Sequence, residues 1–204
     1  MKTVFINISR CIGCRHCEIA CITEHSAKKD LSSVLNDEPR PLPRIKVGLG
    51  INFLTFPNRC RHCDPAPCMQ TCPTGAIFRD VNEGSVLVKE DKCISCGMCA
   101  MVCPFSAIIF HNTREANNQI SYKCDDCIDR RKEEMIPACV DACKTDALLF
   151  GEINEIISRS KQNVVMKITS DIKGIEPFGE PENIVIFKGI MEKIAGLGPL
   201  PSSN

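Results

Sequence analysis

The sequence predicts an α+β fold made by duplicating one small unit (strand, cysteine loop, short helix, strand), followed by a C-terminal extension. Three observations predict it. All 16 cysteines of the 204-residue chain fall into four quartets: Cys11, Cys14, Cys17 and Cys21; Cys60, Cys63, Cys68 and Cys72; Cys93, Cys96, Cys99 and Cys103; Cys124, Cys127, Cys139 and Cys143. Three of them close on similar segments, Cys72-Pro-Thr-Gly-Ala-Ile-Phe78, Cys103-Pro-Phe-Ser-Ala-Ile-Ile-Phe110 and Cys143-Lys-Thr-Asp-Ala-Leu-Leu-Phe150, which is an internal repeat. Each quartet is also entered through a short branched or aromatic run: Val4 to Ile8, Phe53 to Phe56, Val86 to Val88 and Ile120 to Tyr122. Such residues in runs this short favour strands.

Composition narrows the chemistry. With no Trp, one Tyr and 5% aromatics, a large aromatic core is not expected, and another material must fill part of the interior. Cysteine at 16 of 204 residues indicates either a disulfide scaffold or a metalloprotein. The stretch from Met1 to Asn7 lacks the apolar region of a signal peptide and carries no twin arginine, so a cytoplasmic location is expected. Reducing conditions there would leave the thiols free for metal. No apolar run approaches the ~20 residues of a membrane span, so no direct membrane crossing is expected. A formal net charge of zero gives no electrostatic case for nucleic acid.

The spacing within the quartets identifies the metal chemistry. Cys93, Cys96, Cys99 and Cys103 follow C-x2-C-x2-C-x3-C and end in Pro104. This is the bacterial two-cluster ferredoxin run, in which three thiolates hold one iron–sulfur cluster and the fourth serves another. The second quartet, C-x2-C-x4-C-x3-C, also ends in proline, Pro73. The predicted architecture is therefore a duplicated bacterial dicluster ferredoxin-like fold of two pseudo-symmetric two-cluster modules.

Adjacent quartets two and three should form the inner module, 55–119, with quartets one and four closing around it as the outer module, 1–25 plus 120–150. Four 4Fe-4S clusters are expected: Cys60, Cys63, Cys68 with Cys103; Cys93, Cys96, Cys99 with Cys72; Cys11, Cys14, Cys17 with Cys143; and Cys124, Cys127, Cys139 with Cys21. Zinc is the competing metal for paired C-x2-C motifs. Close triplets followed by a fourth thiol suit a cubane better.

The connections read as follows. In 26–54, Lys28 to Asp30 and the run Pro39, Pro41 and Pro43 indicate an exposed connection; the prolines exclude a helix across their own run and favour extended backbone there, and Arg44 to Val47 reads as a short strand. Asn82 and Gly84 suggest a hairpin turn between Arg79 and Lys92. His111 to Gln119 is polar and reads as a surface loop. The insertion between Cys127 and Cys139, with Asp129 to Glu134, reads as a solvated face. The Cys-free extension, 151–204, is expected to hold a helix from Glu152 to Gln162 with Ile153, Ile156 and Ile157 on one face, then a strand from Val164 to Ile168. Its apolar stretch, Ile184 to Leu197, either covers the core or docks on another subunit.

Cys11-Ile-Gly-Cys14, Cys60-Arg-His-Cys63-Asp-Pro-Ala-Pro-Cys68, Cys72-Pro-Thr-Gly-Ala-Ile77 and Lys123-Cys-Asp-Asp-Cys127 resemble the four-cluster iron–sulfur subunits of DMSO reductase, formate hydrogenlyase and CO dehydrogenase systems. Within that family the chain is most similar to the compact CooF type that accompanies CO dehydrogenase. The resemblance covers Met1 to about Gly151, with Ile22 and Lys144 departing from the usual proline after a quartet.

The resemblance implies a non-catalytic, anaerobic electron-transfer subunit. It would relay single electrons between a large catalytic metalloenzyme subunit (CO dehydrogenase, or a tungsten or molybdenum aldehyde or formate oxidoreductase) and a redox partner such as a hydrogenase, ferredoxin or flavoprotein NAD(P) oxidoreductase. It also suggests that the first and second quartets hold the end clusters. A free-standing polyferredoxin and a zinc scaffold are the alternatives. No nucleotide fingerprint, phosphate loop or nucleophile–base pair points to catalysis by this chain.

Six cations lie beside ligands in the sequence and are candidates for tuning potential: Arg15, Arg59, Arg61, Lys92, Lys123 and Lys144. Of these, Lys144→Met is expected to lower one midpoint. His16, His25, His62 and His111 read as surface or supporting residues, because each quartet is already complete. Met98 and Met101 read as apolar cover for a cluster.

Overall fold

The structure, a computed structural model, describes residues 2–112, 119–173 and 182–195. Among the described residues, eight strands pair as four antiparallel two-stranded ribbons. The first strand, β1 (Lys2–Ile6), pairs with the last, β8 (Leu148–Glu152), with Val4 opposite Phe150, so the two ends of the cysteine-bearing region close on each other. Between them lie the ribbons β2 (Ile45–Leu49) with β3 (Thr55–Arg59), β4 (Ile77–Arg79) with β5 (Val86–Val88), and β6 (Ile108–His111) with β7 (Ile120–Lys123). The β4–β5 hairpin falls where Asn82 and Gly84 place a turn, and β2 where the short strand is expected.

Each quartet carries a short helix: α1 (His16–Glu24) with Cys17 and Cys21, α3 (Pro67–Gln70) with Cys68, α4 (Met98–Met101) with Cys99, and α6 (Ala138–Asp141) with Cys139. Local chemistry starts them. Pro67 occupies the first turn of α3, where its missing N–H is no loss. Gly97 precedes α4 at φ +79°, a left-handed conformation that glycine adopts without a Cβ penalty.

Apolar side chains and cysteines pack together in two separate cores. One contains Val4, Ile45, Val47 and Leu148 with Cys17, Cys21 and Cys139, so it draws sulfurs from quartets one and four. The other contains Ala66, Ile77, Val86 and Ile108 with Cys99, against which Cys68, Cys72 and Cys103 pack. Its sulfurs come from quartets two and three.

Two expectations need correction. The Pro39 to Pro43 run is free of helix as expected, and ahead of it the connecting segment also holds a helix, α2 (Leu31–Asn36). Asp30 caps it, accepting the Ser33 N–H at 2.6 Å, and its buried Val34 anchors it. The strand expected from Val164 to Ile168 does not form, because these residues continue the helix α7 (Ile153–Lys173). That stretch contains neither glycine nor proline, and Thr169 donates its hydroxyl to the Val165 carbonyl at 2.8 Å, so propagation of the helix wins over branched-residue preference.

The charged insertion is solvated as expected at Asp129, Lys132, Glu133 and Glu134, and the second correction is confined to its arginines. It begins with α5 (Ile128–Lys132), whose Arg131 side chain is 6% exposed and fully engaged with acidic partners, rather than lying on a solvated face. Lys132 and Asp129 do face solvent.

Ile184 to Ala195 lie in α8 (Glu182–Ala195), whose Phe187 ring stacks on Phe53 at 5.7 Å. The expected tail from Pro199, and residues 113–118 of the expected surface loop, lie outside the described residues. No helix among the described residues is long and apolar enough to cross a membrane.

Candidate metal centres

All sixteen thiols are free. In the inner core, a cavity is lined by Cys60, Cys63, Cys68 and Cys103 together with Val86 and Ile108. A second cavity is lined by Cys72, Cys93, Cys96 and Cys99 with Ile77 and Phe110. Each thus gathers three sulfurs from one quartet and one from the other.

In the outer core, helices α1 and α6 pack together and bring Cys17 and Cys21 to Cys139. Burial pushes the Cys21 thiol well up, with Cys124, Cys139 and Cys127 adding to the effect as neighbouring charges. Burial likewise raises Cys127 and Cys139 to about 12. Cys17 also rises to about 12, through burial and then Glu18 and Cys14. Cys143 packs against the core that holds Cys17. Thiols that are dry and mutually repulsive as thiolates are poor acids but suit a cation that binds them together.

The surroundings of the sulfurs are rich in donors. Backbone N–H groups of Arg44, Asp126, Ser121, Ala107 and His62 donate to Cys21 (3.3 Å), Cys124 (3.4 Å), Cys93 (3.4 Å), Cys103 (3.5 Å) and Cys60 (3.5 Å). The Thr55 hydroxyl donates to Cys11 Sγ at 3.2 Å. Donors of this kind stabilise the more negative, reduced state of a cluster.

Two of the six candidate cations reach a sulfur. Arg59, 2% exposed, donates to Cys124 Sγ at 3.3 Å, and Lys123, 4% exposed, donates to Cys60 Sγ at 3.7 Å. Burial opposes the Arg59 charge, but Cys124 and Asp126 more than offset it and hold its pKa above the ordinary value. Arg61 instead lies over the Phe56 and Phe105 rings. Arg15, Lys92 and Lys144 are exposed, so the tuning role expected of Lys144 has no sulfur contact behind it.

Two histidines have buried roles. His62 accepts the Val86 N–H on Nδ1 at 2.9 Å, and burial followed by the nearby Lys123 charge pushes its pKa down to about 3, so the ring is neutral. His25 joins its Nδ1 to the Cys21 carbonyl at 2.7 Å and its Nε2 to Asp125 at 3.0 Å. Against the pull of burial, His25 and Arg44 keep Asp125 ionised well below the usual carboxylate range. Arg44 also lies over the Tyr122 ring at 4.6 Å. His16 is exposed, and His111 binds the Arg40 carbonyl.

The supporting groups Asp125, Asp126, Ser85, Thr55 and Arg44 are absent from the sequence-derived candidates. The two aspartates stand in the motif Lys123-Cys-Asp-Asp-Cys127, but their partners Arg59, Ser85, His25 and Arg44 lie on distant segments. The exposed thiols are Cys14 and Cys96, of the first and third quartets.

The residues fit iron–sulfur clusters. Arg59 Nε and His62 Nε2 are buried without a protein partner beside Cys60 and Cys124, and cluster sulfides are acceptors that would satisfy them. Four paired ribbons, two sulfur-containing cores and thiol-lined cavities define an iron–sulfur protein of the ferredoxin class.

The chain belongs to the 4Fe-4S dicluster family: one dicluster domain matches residues 51–153 and another residues 10–77. Its cofactors are accordingly 4Fe-4S clusters, a number of four being consistent with two dicluster domains. The chain is 37% identical over 166 residues to electron transport protein HydN of Escherichia coli, covering 76% of this chain and 90% of that one. It is 35% identical to an iron-sulfur protein of Rhodospirillum rubrum (74% and 82%). It is 39% identical to the thiosulfate reductase electron transfer subunit PhsB of Salmonella typhi (72% and 73%).

Proposed function

We propose that the chain is a cytoplasmic, non-catalytic subunit that relays single electrons through four 4Fe-4S clusters between a catalytic metalloenzyme and a redox partner. The observation that carries the reading is the exchange of sulfurs between quartets, with Cys103 facing the Cys60 cavity and Cys72 facing the Cys93 cavity. Interlocked sets of this kind place neighbouring clusters close together, as a relay needs. The proposed ligand sets are Cys60, Cys63, Cys68 with Cys103; Cys93, Cys96, Cys99 with Cys72; Cys11, Cys14, Cys17 with Cys143; and Cys124, Cys127, Cys139 with Cys21. The two cores support the division into an inner module, 55–119, and an outer module, 1–25 plus 120–150. Ile45 and Val47 of the connecting segment pack into the outer core.

Bound clusters supply one-electron chemistry at potentials between about −700 and +450 mV. The chain's own residues hold and insulate them: Val86, Ile108, Ile77 and Phe110 line the inner cavities, and backbone donors fix the sulfur orientation. The exposed Cys14 and Cys96 are the proposed ends of the path, since a partner can approach closest there. By the family resemblance the catalytic partner is CO dehydrogenase, in the manner of the CooF type, or a tungsten or molybdenum aldehyde or formate oxidoreductase. The acceptor or donor is a hydrogenase, ferredoxin or flavoprotein NAD(P) oxidoreductase. The exposed apolar residues of α7 and α8, including Val165, Ile168, Phe187 and Ile190, support 151–204 as a docking arm for that assembly.

Anaerobic purification of the native protein tests the reading. Recovery in fixed ratio with a large molybdenum, tungsten or nickel enzyme, and reduction of the clusters by that enzyme's substrate, is the expected result. Recovery of the chain alone, with clusters that no co-expressed oxidoreductase reduces, would favour a free polyferredoxin.

A further inference from the structure

Arg59 is the last residue of β3 and precedes Cys60; Lys123 is the last residue of β7 and precedes Cys124. Each side chain serves the other's ligand. The Arg59 guanidinium reaches Cys124 Sγ at 3.3 Å, and the Lys123 ammonium reaches Cys60 Sγ at 3.7 Å. Cys60 lines an inner cavity, whereas Cys124 belongs with Cys21 to a proposed outer ligand set. The two cations therefore cross at the contact between the modules.

Their other partners show that the crossing is built and not incidental. Lys123 has three N–H groups, and they go to Cys60 Sγ, the Val86 carbonyl and the Cys124 carbonyl at 3.0 Å, with no carboxylate among the acceptors. Asp126 accepts Arg59 on Oδ1 at 2.5 Å, but its Oδ2 is shared by Arg131 at 2.6 Å and Ser85 at 3.3 Å. Arg131 has a second carboxylate, Glu83, at 2.5 Å. Three cations thus face two carboxylates in a region where charge is costly to bury unless it is paired. The remaining counter-charge must come from the sulfur sites, and Arg59 Nε, buried and unpartnered, is free to add to it.

Resting on the electron-relay reading above, we propose that Arg59 and Lys123 form a crossed cationic junction between the modules, at which Arg59 raises the electron affinity of the Cys124 site and Lys123 that of the Cys60 site. One electron crosses there at a time: the site it leaves is oxidised by one electron, the site it enters is reduced by one, and no bond is formed or broken. Raising both sites together keeps the step between modules nearly level in either direction. A single cation serving one site would bias it.

An EPR-monitored redox titration of the full-length chain under anaerobic conditions tests this. Cys60→Ser and Cys124→Ser first mark the two signals by altering them. Arg59→Gln is expected to lower the midpoint of the signal marked by Cys124→Ser, and Lys123→Gln that of the signal marked by Cys60→Ser. Each shift should reach about tenfold in the reduction equilibrium, or about 59 mV for one electron. Arg59→Lys and Lys123→Arg should restore most of it. Shifts that follow sequence neighbours instead, that fall on one shared midpoint, or that are absent would overturn the junction. Should Arg59→Gln lose iron, Lys123→Gln decides alone, a fall confined to the Cys60 signal supporting the junction and any other result overturning it. A wild-type chain with fewer than four one-electron midpoints would overturn the relay reading and the junction together; four unmoved midpoints would overturn the junction alone.

Discussion

The guanidinium of Arg59 lies 3.3 Å from the sulfur of Cys124, 65 residues further along the chain, while it adjoins Cys60 in sequence. That contact is held by Asp126, which grips Arg59 and Arg131 on opposite oxygens and is itself buried. Asp126→Ala would leave two buried cations without their shared partner, a defect that costs about 3–5 kcal/mol. Anaerobic urea unfolding, followed by loss of the visible iron–sulfur absorbance, should show a lower midpoint than wild type by a corresponding amount. A midpoint within error of wild type would mean that solvent or rearrangement replaces the carboxylate.

Gly13 and Gly97 both adopt left-handed backbone, at φ +71° and +79°, but their surroundings differ. A Cβ on Gly13 would sit 2.8 Å from Thr55 Cγ2, whereas one on Gly97 meets nothing within 4 Å. Thr55 also donates to Cys11. Gly97→Ala should therefore cost only the conformational term of about 1 kcal/mol, and Gly13→Ala should cost more and lower iron occupancy. Iron content and urea midpoints of the two variants check this, and equal losses would contradict it.

The sulfur exchange between quartets makes a spectroscopic forecast. Cys103→Ser should alter the same cluster signal as Cys60→Ser, and Cys72→Ser the same signal as Cys93→Ser, because each pair lines one cavity. Low-temperature EPR of the reduced single variants distinguishes this from clusters built within one quartet, for which Cys72→Ser would instead match Cys60→Ser.

How much of this is legible in the sequence depends on the range of the interaction. Cysteine spacing, the branched runs beside each quartet and the Asn82–Gly84 turn act within a few residues, so quartets, ribbons and hairpin can all be read. The crossed contacts of Arg59 and Lys123 cannot, since adjacency in sequence points each cation to the wrong sulfur. Arg131 reads as solvated because Glu83 is supplied by a distant segment, and nothing in the sequence shows that it and Asp126, just ahead of α5, close on one side chain. Val164 to Ile168 mislead for the opposite reason: their branched side chains suggest a strand, but no partner strand is offered among the described residues and the helix from Ile153 runs through them. Asp30 with Ser33 is an N-terminal capping pattern that could have revealed α2.

Acidification should act through Glu24. Burial alone would raise its pKa, but hydrogen bonds from Lys29 (2.9 Å) and Arg130 (3.0 Å) bring it below the ordinary value of 4.5. A carboxyl lowered in the folded state contributes stability that is complete above the unfolded value and is lost as pH falls through the folded one. Glu24→Gln should therefore lower the urea midpoint at about pH 7, with the gap to wild type constant down to about pH 5 and narrowing as pH falls below the ordinary value of 4.5. A gap that stays constant below that value would show that the carboxylate charge is not involved.

A combined iron, sulfide and coulometric assay of anaerobically prepared full-length protein tests the four-cluster electron path. The predicted result is about sixteen iron atoms, about sixteen sulfides and uptake of about four electrons per chain. Zinc in place of iron, or fewer than four electrons taken up by a chain with full iron, would contradict it.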